Sequence, residues 1–269
     1  MIADIHVHSR FSADSEADPD EVVRKAAEAG LPAICFTDHI DWDYPVEGLV
    51  FDFDTDDYFR TMESVRQRWG GKIRVLIGVE LGLQAHLAER YHELLASRPF
   101  DYVIGSQHLV RGMDPYYPET FEGASETEIY RAYFEETLAD LRAFHEFDSM
   151  GHLDYIVRYG RKLGRPYSWR EYGDVIDEIL KLLVRYNIAL EVNTAGIRKQ
   201  LGFPNPHPEI IRRYRELGGT LVTVGSDSHK PYSLGFAFEQ ARDLLLSCGF
   251  THYVWFEHRE PKFVSLRGK

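Results

Sequence analysis

The stretch Asp4-Ile5-His6-Val7-His8, near the start of the chain, decides the predicted fold. Its pattern predicts a β-strand, and side chains two residues apart on a strand point to the same face. His6 and His8 could therefore share one metal ion, although a His-x-His pair on a strand is often incidental. The pair becomes informative because other strand-like segments of the chain also end in histidine, aspartate or glutamate.

Five further strand-like segments end in potential metal ligands. These endings are Thr37-Asp38-His39, Gly78-Val79-Glu80, Gly105-Ser106-Gln107-His108, Gly151-His152-Leu153-Asp154 and Gly225-Ser226-Asp227-Ser228-His229. In a barrel of parallel strands the C-terminal strand ends meet at one rim, where active sites form. The pattern therefore predicts one cluster of imidazoles and carboxylates gathered from along the whole chain.

Strand and helix patterns alternate along the chain. Strands are predicted near residues 2–8, 33–37, 73–80, 101–105, 148–151, 188–193 and 220–225. Helices are predicted between a cap at Asp18 and Gly30, and near residues 54–69, 85–96, 125–146, 169–186, 208–217 and 236–248. About seven βα units indicate a parallel sheet, and ligand positions on widely separated strands favour a closed α/β barrel over an open doubly wound sheet. The run Tyr253-Val254-Trp255-Phe256 is compatible with one late strand.

Composition and charge narrow the expected function. The 269 residues, 44% of them hydrophobic, suit a single barrel domain over residues 1–269. The net charge of −12 disfavours nucleic acid or an anionic membrane as the main partner. A small phosphorylated substrate is compatible with this negative net charge, because bound cations and arginines can reverse the electrostatic field at a site. With two cysteines, no apolar membrane-spanning stretch and no signal peptide, we expect a cytoplasmic protein.

The predicted cluster is rich in imidazole and carboxylate and has no thiolate. Such donors suit Zn, Mn or Fe. The candidate ligands are His6, His8, His39, Glu80, His108, His152, Asp227 and His229. A mononuclear catalytic site takes about three protein ligands, so this number implies two or three ions, and a carboxylate such as Glu80 could bridge two of them. The alternative, a collection of unrelated helix caps and buried histidines, requires many coincidences.

The ordered motifs resemble those of the PHP (polymerase and histidinol phosphatase) superfamily from residue 4 to about 230. The resemblance includes Asp4-x-His6-x-His8, Asn193-Thr194-x-Gly196 and the five endings quoted above. It implies a distorted TIM-like (β/α)7 barrel with the active site and up to three metal ions at its C-terminal rim. The implied ligands are His6, His8, Glu80 and Asp227 for the first ion, Glu80, His108 and His152 for the second, and His39 and His229 for the third.

Asp14 is the implied remaining ligand of the third ion. Some relatives place a histidine there, and a turn or capping role is the alternative for Asp14. The form Phe11-Ser12-Ala13-Asp14 and the length of the chain resemble the short histidinol-phosphate phosphatases. Asp4 and Asp154 are interpreted as acids that orient ligand histidines.

The resemblance implies a metal-dependent phosphomonoesterase that hydrolyses L-histidinol phosphate in histidine biosynthesis. Glu80 and Asp227 would take part in catalysis, and Asp227 or a water would protonate the leaving alkoxide. Arg161 and Arg198, which follow rim strands, are predicted to bind the phosphate. The alternatives are a PHP-type phosphoesterase that acts on nucleotides or other phosphoesters, and a non-catalytic metal-binding domain.

Two long connections, residues 39–53 and 109–123, leave the same rim and are predicted to shape the substrate pocket. The second carries Asp114, Tyr116 and Tyr117, which could face the positively charged end of the substrate. The alternative is that both connections run over the surface without contacting a ligand.

Overall fold

Parallel strands form a nearly closed barrel in the computed structural model, which describes residues 1–160 and 167–267. The barrel strands are β1 (Asp4–Val7), β2 (Ala33–Phe36), β4 (Arg74–Gly82), β5 (Tyr102–Ser106), β6 (Ser149–Met150), β7 (Ala189–Asn193) and β8 (Val222–Gly225). Successive barrel strands are neighbours and pair in parallel, and a bridge between Val7 and Ser228 brings β1 beside the chain that follows β8. The predicted α/β barrel is confirmed.

Helices alternate with these strands along the chain. Their bounds are α1 (Pro19–Glu28), α2 (Thr55–Trp69), α3 (Ala88–Ser97), α4 (Glu126–Ala143), α5 (Gly173–Tyr186), α6 (Ala195–Arg198), α7 (Pro208–Glu216) and α8 (Phe238–Ser247). The predicted cap of α1 is confirmed, since the Asp18 carboxylate accepts hydrogen bonds from the main-chain nitrogens of Asp20 and Glu21. In the described part of the chain, no helix is long and apolar enough to cross a membrane.

The predicted helices near 85–96 and 169–186 each begin one turn earlier than the α-helix proper. In both, a short 3₁₀ turn comes first, Ala85–Leu87 before α3 and Trp169–Tyr172 before α5. Such turns are common at helix ends, where i→i+3 hydrogen bonds satisfy the first free N–H groups.

A short strand, β3 (His39–Ile40), and the length of β4 were not predicted. β3 pairs in parallel with β4, with His39 opposite Glu80. Its two residues are too few for a periodic pattern in the sequence. β3 pairs with Glu80 and Leu81 of β4, and β5 pairs with β4 as far as Gly82, so that β4 carries Glu80 to the rim.

The base of the barrel is covered by a C-terminal hairpin of β9 (His252–Glu257) and β10 (Glu260–Ser265). The predicted late strand is therefore present, but in a separate two-stranded antiparallel sheet. At the hairpin turn, Arg259 donates from Nε to the Asp148 carboxylate over 2.5 Å, and the main-chain nitrogen of His258 donates to Asp101 over 3.2 Å. These contacts tie the hairpin to the N-terminal ends of β5 and β6.

Candidate metal centre

The wholly buried carboxylate of Glu80 lies between two pairs of histidines at the rim. Its Oε2 is 3.0 Å from His6 Nε2 and 3.4 Å from His8 Nε2. Its Oε1 is 3.0 Å from His152 Nε2 and 3.3 Å from His108 Nε2. The strand ends of β1, β4, β5 and β6 therefore bring one acid and four imidazoles together.

Asp14, His39 and His229 form a second group beside His8. His229 Nε2 is 3.0 Å from Asp14 Oδ2, and His39 Nε2 is 4.0 Å from Asp14 Oδ1. The ring of His8 stacks on those of both His39 and His229, with centroid distances of 4.3 and 4.0 Å. Asp227 connects this group to the first, because its Oδ1 is 3.6 Å from His8 Nε2 and 3.5 Å from His229 Nδ1.

The donor atoms fit divalent metal ions. Among the described residues, five sets of three donors lie within 4.8 Å of one another: His6, His8 and Glu80; Glu80, His108 and His152; His8, His39 and His229; His6, His152 and Asp227; and His39, Asp41 and His108. Within residues 1–160 and 167–267, His8 Nε2 and His39 Nδ1 are buried and make no hydrogen bond. Glu80 Oε2 is 3.4 and 3.2 Å from these nitrogens but is not aligned for a bond. Such unpaired buried atoms are costly, and a cation would satisfy them.

Protonation in the cluster also suits metal ligation, which needs ionised carboxylates and neutral imidazoles. Burial opposes the ionisation of Glu80, but the neighbouring histidines, His6 first, outweigh it and hold the pKa of Glu80 well below its usual range. Burial and the nearby His229 and His39 hold the pKa of His8 well below its usual range, so this ring is neutral. Burial also opposes the protonation of His6, yet Glu191 and Glu80 raise its pKa, and a bound cation would displace that proton.

Neighbouring side chains turn Nε2 of three histidines toward the cluster. Glu191 Oε1 lies 2.6 Å from His6 Nδ1, Asp41 Oδ1 lies 3.0 Å from His108 Nδ1, and Ser12 Oγ lies 3.0 Å from His8 Nδ1. A partner on Nδ1 fixes the ring orientation and leaves Nε2 free for a metal ion.

Asp4 and Asp154 were predicted to orient ligand histidines, and that prediction is wrong. Asp4 accepts hydrogen bonds from the main-chain nitrogen and the hydroxyl of Ser226. Asp154 accepts from Asn205 Nδ2 and from the main-chain nitrogen of His207. Both acids brace loops of the rim and hold no histidine ring.

The sequence does contain a signal for Asp41, which was missed. Asp41 lies two residues after His39 and so faces the same side of the chain. Gly82 lies two residues after Glu80 on the paired strand, and a Cβ there would be 1.7 Å from Asp41 Oδ1. Only glycine at position 82 leaves room for the Asp41 carboxylate.

A cavity of about 400 Å³ opens beside the cluster and has a cationic wall. The buried guanidinium of Arg158 donates to Asp227 Oδ2 over 3.1 Å and to Asn193 Oδ1 over 3.0 Å. Arg198 also lines the cavity and donates to the main-chain oxygens of Ser226 and Asp227, over 2.9 and 2.8 Å. Arg161 lies outside the described residues. No pattern in the sequence distinguished Arg158 from Arg161, Lys162 and Arg165, the basic residues that follow it in the chain.

A second part of the cavity lining, called the acidic wall, is acidic and aromatic. Tyr44 and Phe51 come from the connection 39–53, and Asp114 comes from the connection 109–123, so both long connections reach the cavity. Tyr44 donates its hydroxyl to Asp114 Oδ2 over 2.7 Å. Among the described residues that line the cavity, neither Tyr116 nor Tyr117 is found, and Tyr116 is 62% exposed.

Comparison with known proteins shows to which family this chain belongs. The model of the PHP domain matches residues 4–195. The chain is 38% identical to a probable histidinol-phosphatase of Clostridium acetobutylicum, over 98% of this chain and 100% of the relative. It is 32% identical to a histidinol-phosphatase of Lactococcus lactis, over 94% and 93%.

A solved structure supports the same grouping. A crystal structure of histidinol phosphate phosphatase from Lactococcus lactis, complexed with zinc, L-histidinol and phosphate, matches with a TM-score of 0.88 and 30% identity, covering 97% of this chain and 98% of that one. In sequence and fold, the chain belongs to the PHP domain family.

Proposed function

We propose that this chain is a metal-dependent phosphomonoesterase that hydrolyses L-histidinol phosphate to L-histidinol and phosphate, with residues 1–269 acting as one domain. The observation that carries the proposal is the similarity over nearly the whole chain to a histidinol phosphate phosphatase complexed with zinc, L-histidinol and phosphate. The rim of this chain offers clustered donors for metal ions, a cationic wall for a phosphate group and an acidic wall for an amine.

We assign two or three Zn, Mn or Fe ions to the cluster. The proposed ligands are His6, His8, Glu80 and Asp227 for the first ion, Glu80, His108 and His152 for the second, and Asp14, His39 and His229 for the third. When bound, such ions supply a nucleophile activated at neutral pH and neutralise charge on phosphoryl oxygens.

The arginines of the cationic wall bind and orient the phosphoryl group. Arg198 contacts the main chain at Ser226 and Asp227, so its charge is held beside the metal ligands. Arg158 is held by Asp227 and Asn193 and adds a second fixed charge. Fixed guanidinium donors stabilise the charge on equatorial phosphoryl oxygens without reorganisation during the reaction. A contribution of Arg161 to phosphate binding stays a prediction.

Asp227 is better suited to metal ligation than to proton donation. Burial opposes its ionisation, but His6, Arg158 and His229 outweigh burial and hold the pKa of Asp227 well below its usual range. An ionised carboxylate has no proton to give to the leaving alkoxide. Of the two proton donors expected for the leaving alkoxide, Asp227 and a water, the low pKa of Asp227 therefore favours the water.

Asp114 is proposed to recognise the ammonium group of histidinol phosphate. Its carboxylate lines the same cavity as Arg158 and Arg198 and is held by Tyr44. Burial raises the pKa of Asp114, so a cationic amine beside it would favour the ionised form. A substrate with a phosphate at one end and an amine at the other matches the two walls.

The test compares kcat/KM for histidinol phosphate, nucleoside monophosphates and an aryl phosphate. We expect a preference for histidinol phosphate of at least about tenfold, or about 1.4 kcal/mol. Asp114→Asn keeps an acceptor for Tyr44 but removes the charge, so it should lower this preference while leaving aryl phosphate hydrolysis unchanged. Tyr116→Phe, outside the cavity, is the matched control. Equal rates for all substrates would leave only a general phosphoesterase, and a metal-loaded but inert protein would support the non-catalytic alternative.

A further inference from the structure

Glu191, a buried residue of β7, contacts proposed ligands of two different ions. Its Oε1 lies 2.6 Å from His6 Nδ1, and its Oε2 accepts a hydrogen bond from the main-chain nitrogen of His152 over 2.8 Å. His6 and His152 come from β1 and from the loop after β6, and both face Glu80, at 3.0 Å from each. One carboxylate therefore holds the side chain of one proposed ligand and the backbone of another.

The contact with His6 determines which ring nitrogen faces the metal centre. When a metal ion is bound, His6 would keep its proton on Nδ1, which faces Glu191, and Nε2, which faces Glu80 and the centre, would be the ligand atom. A carboxylate in this position fixes the ring tautomer and makes the metal-facing nitrogen more basic. The contact with His152 acts differently, because it fixes the position of the backbone and hence the distance of the ring from Glu80.

The surroundings of Glu191 leave its carboxylate one position. At Gly225, on the neighbouring strand β8, a Cβ would lie 2.5 Å from Glu191 Oε1 and 2.4 Å from His6 Cβ, so only glycine leaves space for the pair. Asn193 Nδ2 donates to Glu191 Oε2 over 3.1 Å, while its Oδ1 accepts from Arg158. The carboxylate is thus fixed from two sides and is connected to the cationic wall.

We propose that Glu191 is a positioning residue that sets the orientation of His6 and the place of His152, and thereby couples the two ions that Glu80 bridges. This inference rests on the proposed metal ligands of the preceding section. It does not depend on which phosphoester is the substrate.

Two variants separate the position of the carboxylate from its charge. Glu191→Gln keeps the size of the side chain but replaces one acceptor oxygen by an amide, so that it cannot accept from both His6 and His152. Glu191→Asp keeps the charge but is one methylene shorter. We expect both variants to release zinc at a chelator concentration at least about tenfold lower than the wild type, because loss of such partners costs about 10- to 100-fold in metal affinity.

The experiment measures zinc retained by the purified holoenzyme across a chelator series, together with kcat with and without excess zinc. In both variants, excess zinc should restore most of kcat, as expected for a residue that does not touch the substrate. Asp4→Asn is the matched control, because Asp4 is also a buried rim carboxylate but contacts Ser226 and Gly235 and no histidine ring. We expect its zinc retention to stay within about threefold of the wild type, well short of the loss expected for an orienting partner.

Each outcome decides the proposal. Wild-type retention in Glu191→Asp would show that the charge alone matters and would overturn the positioning role, as would an equal loss in Asp4→Asn. If Glu191→Gln does not fold, as judged by circular dichroism, Glu191→Asp carries the test. A wild type that holds zinc but does not hydrolyse histidinol phosphate would refute the proposed substrate and leave the zinc measurement on Glu191 valid.

Discussion

The two ends of the barrel both bury carboxylates but satisfy them differently. At the base, Asp148 accepts from the main-chain nitrogen of Val103 over 2.8 Å and from Arg259, and Asp101 accepts from Ile77 and Arg66. Each base carboxylate thus has a backbone donor and an arginine. Groups of the chain itself therefore satisfy both base carboxylates, and these two acids have a structural role.

At the rim, Glu80 faces imidazoles, and Asp227 faces imidazoles as well as Arg158. Unpaired buried nitrogens remain on His8 and His39 among the described residues. An arrangement of this kind is costly for folding unless cations join it. The difference between the two ends shows that a buried acid indicates function when the neighbouring side chains keep buried polar atoms without hydrogen-bond partners.

Removing the bridging carboxylate should give the largest effect. Glu80→Gln takes away the charge shared by two proposed ions, so we expect the loss of both ions and a fall in kcat of at least about 1000-fold, or about 4 kcal/mol. Elemental analysis and steady-state kinetics measure the two quantities. Asp148→Asn, at the base, is the control and should keep full metal content. Retention of all ions by Glu80→Gln would remove Glu80 from the bridge.

Asp14 tests whether the second group binds an ion of its own. Its carboxylate is partly exposed and lies 3.0 Å from His229. Asp14→Ala should lower the metal content by about one ion per chain while the circular dichroism spectrum stays unchanged, since three donors are about the minimum for a stable site. An unchanged metal content would instead assign Asp14 to the turn.

Arg198→Ala should weaken transition-state binding without removing metal. If the guanidinium contacts the phosphoryl group, kcat/KM should fall by the equivalent of about 2–4 kcal/mol, as for a lost oxyanion donor. Arg212→Ala, an exposed arginine of α7, is the matched control. A fall in metal content together with kcat/KM would show that Arg198 acts instead by holding the backbone at Asp227.

The smallest expected effect is a pH dependence of folding stability that comes from Asp148, at the base of the barrel. Burial raises the pKa of Asp148 to about 6, against the effect of Arg259. The folded protein therefore binds a proton at Asp148 more tightly than the unfolded chain does. The resulting contribution to the free energy of unfolding is present below about pH 4 and is lost as the pH rises to about 6. It amounts to at most about 3 kcal/mol.

This pH dependence is measured by chemical denaturation of the metal-free wild type and of Asp148→Asn at several pH values. The stability of the wild type relative to Asp148→Asn should fall between pH 4 and 6. A difference that stays constant over this range would contradict the raised pKa.

The barrel and the meeting of its polar strand ends could be predicted, because both follow from local patterns. Alternating βα units define a parallel barrel, and the ends of its strands must meet at one rim. His6, Glu80, His108 and Asp227 were named for that reason, and the structure brings them together. The sequence determined which side chains arrive at the rim.

Apart from Asp41, the partners that orient those side chains could not be predicted, because they depend on strand register. The pairing of Asp4 with Ile34 and of Val7 with Phe36 shows an irregularity in β1. Such an irregularity is not visible in the sequence, where simple alternation predicts that Asp4 points to the same side as His6. Glu191 reaches His6 from β7, a strand 185 residues away in the chain.

The sequence by itself therefore determined the barrel and the set of metal-type donors at its rim. Only the tertiary structure decided which acid holds which ring, and that Arg158 lies buried against Asp227 instead of in solvent. The physical reason is that strand ends are placed by the repeating pattern of the chain, whereas hydrogen-bond partners are chosen within a few tenths of an ångström by packing between distant segments.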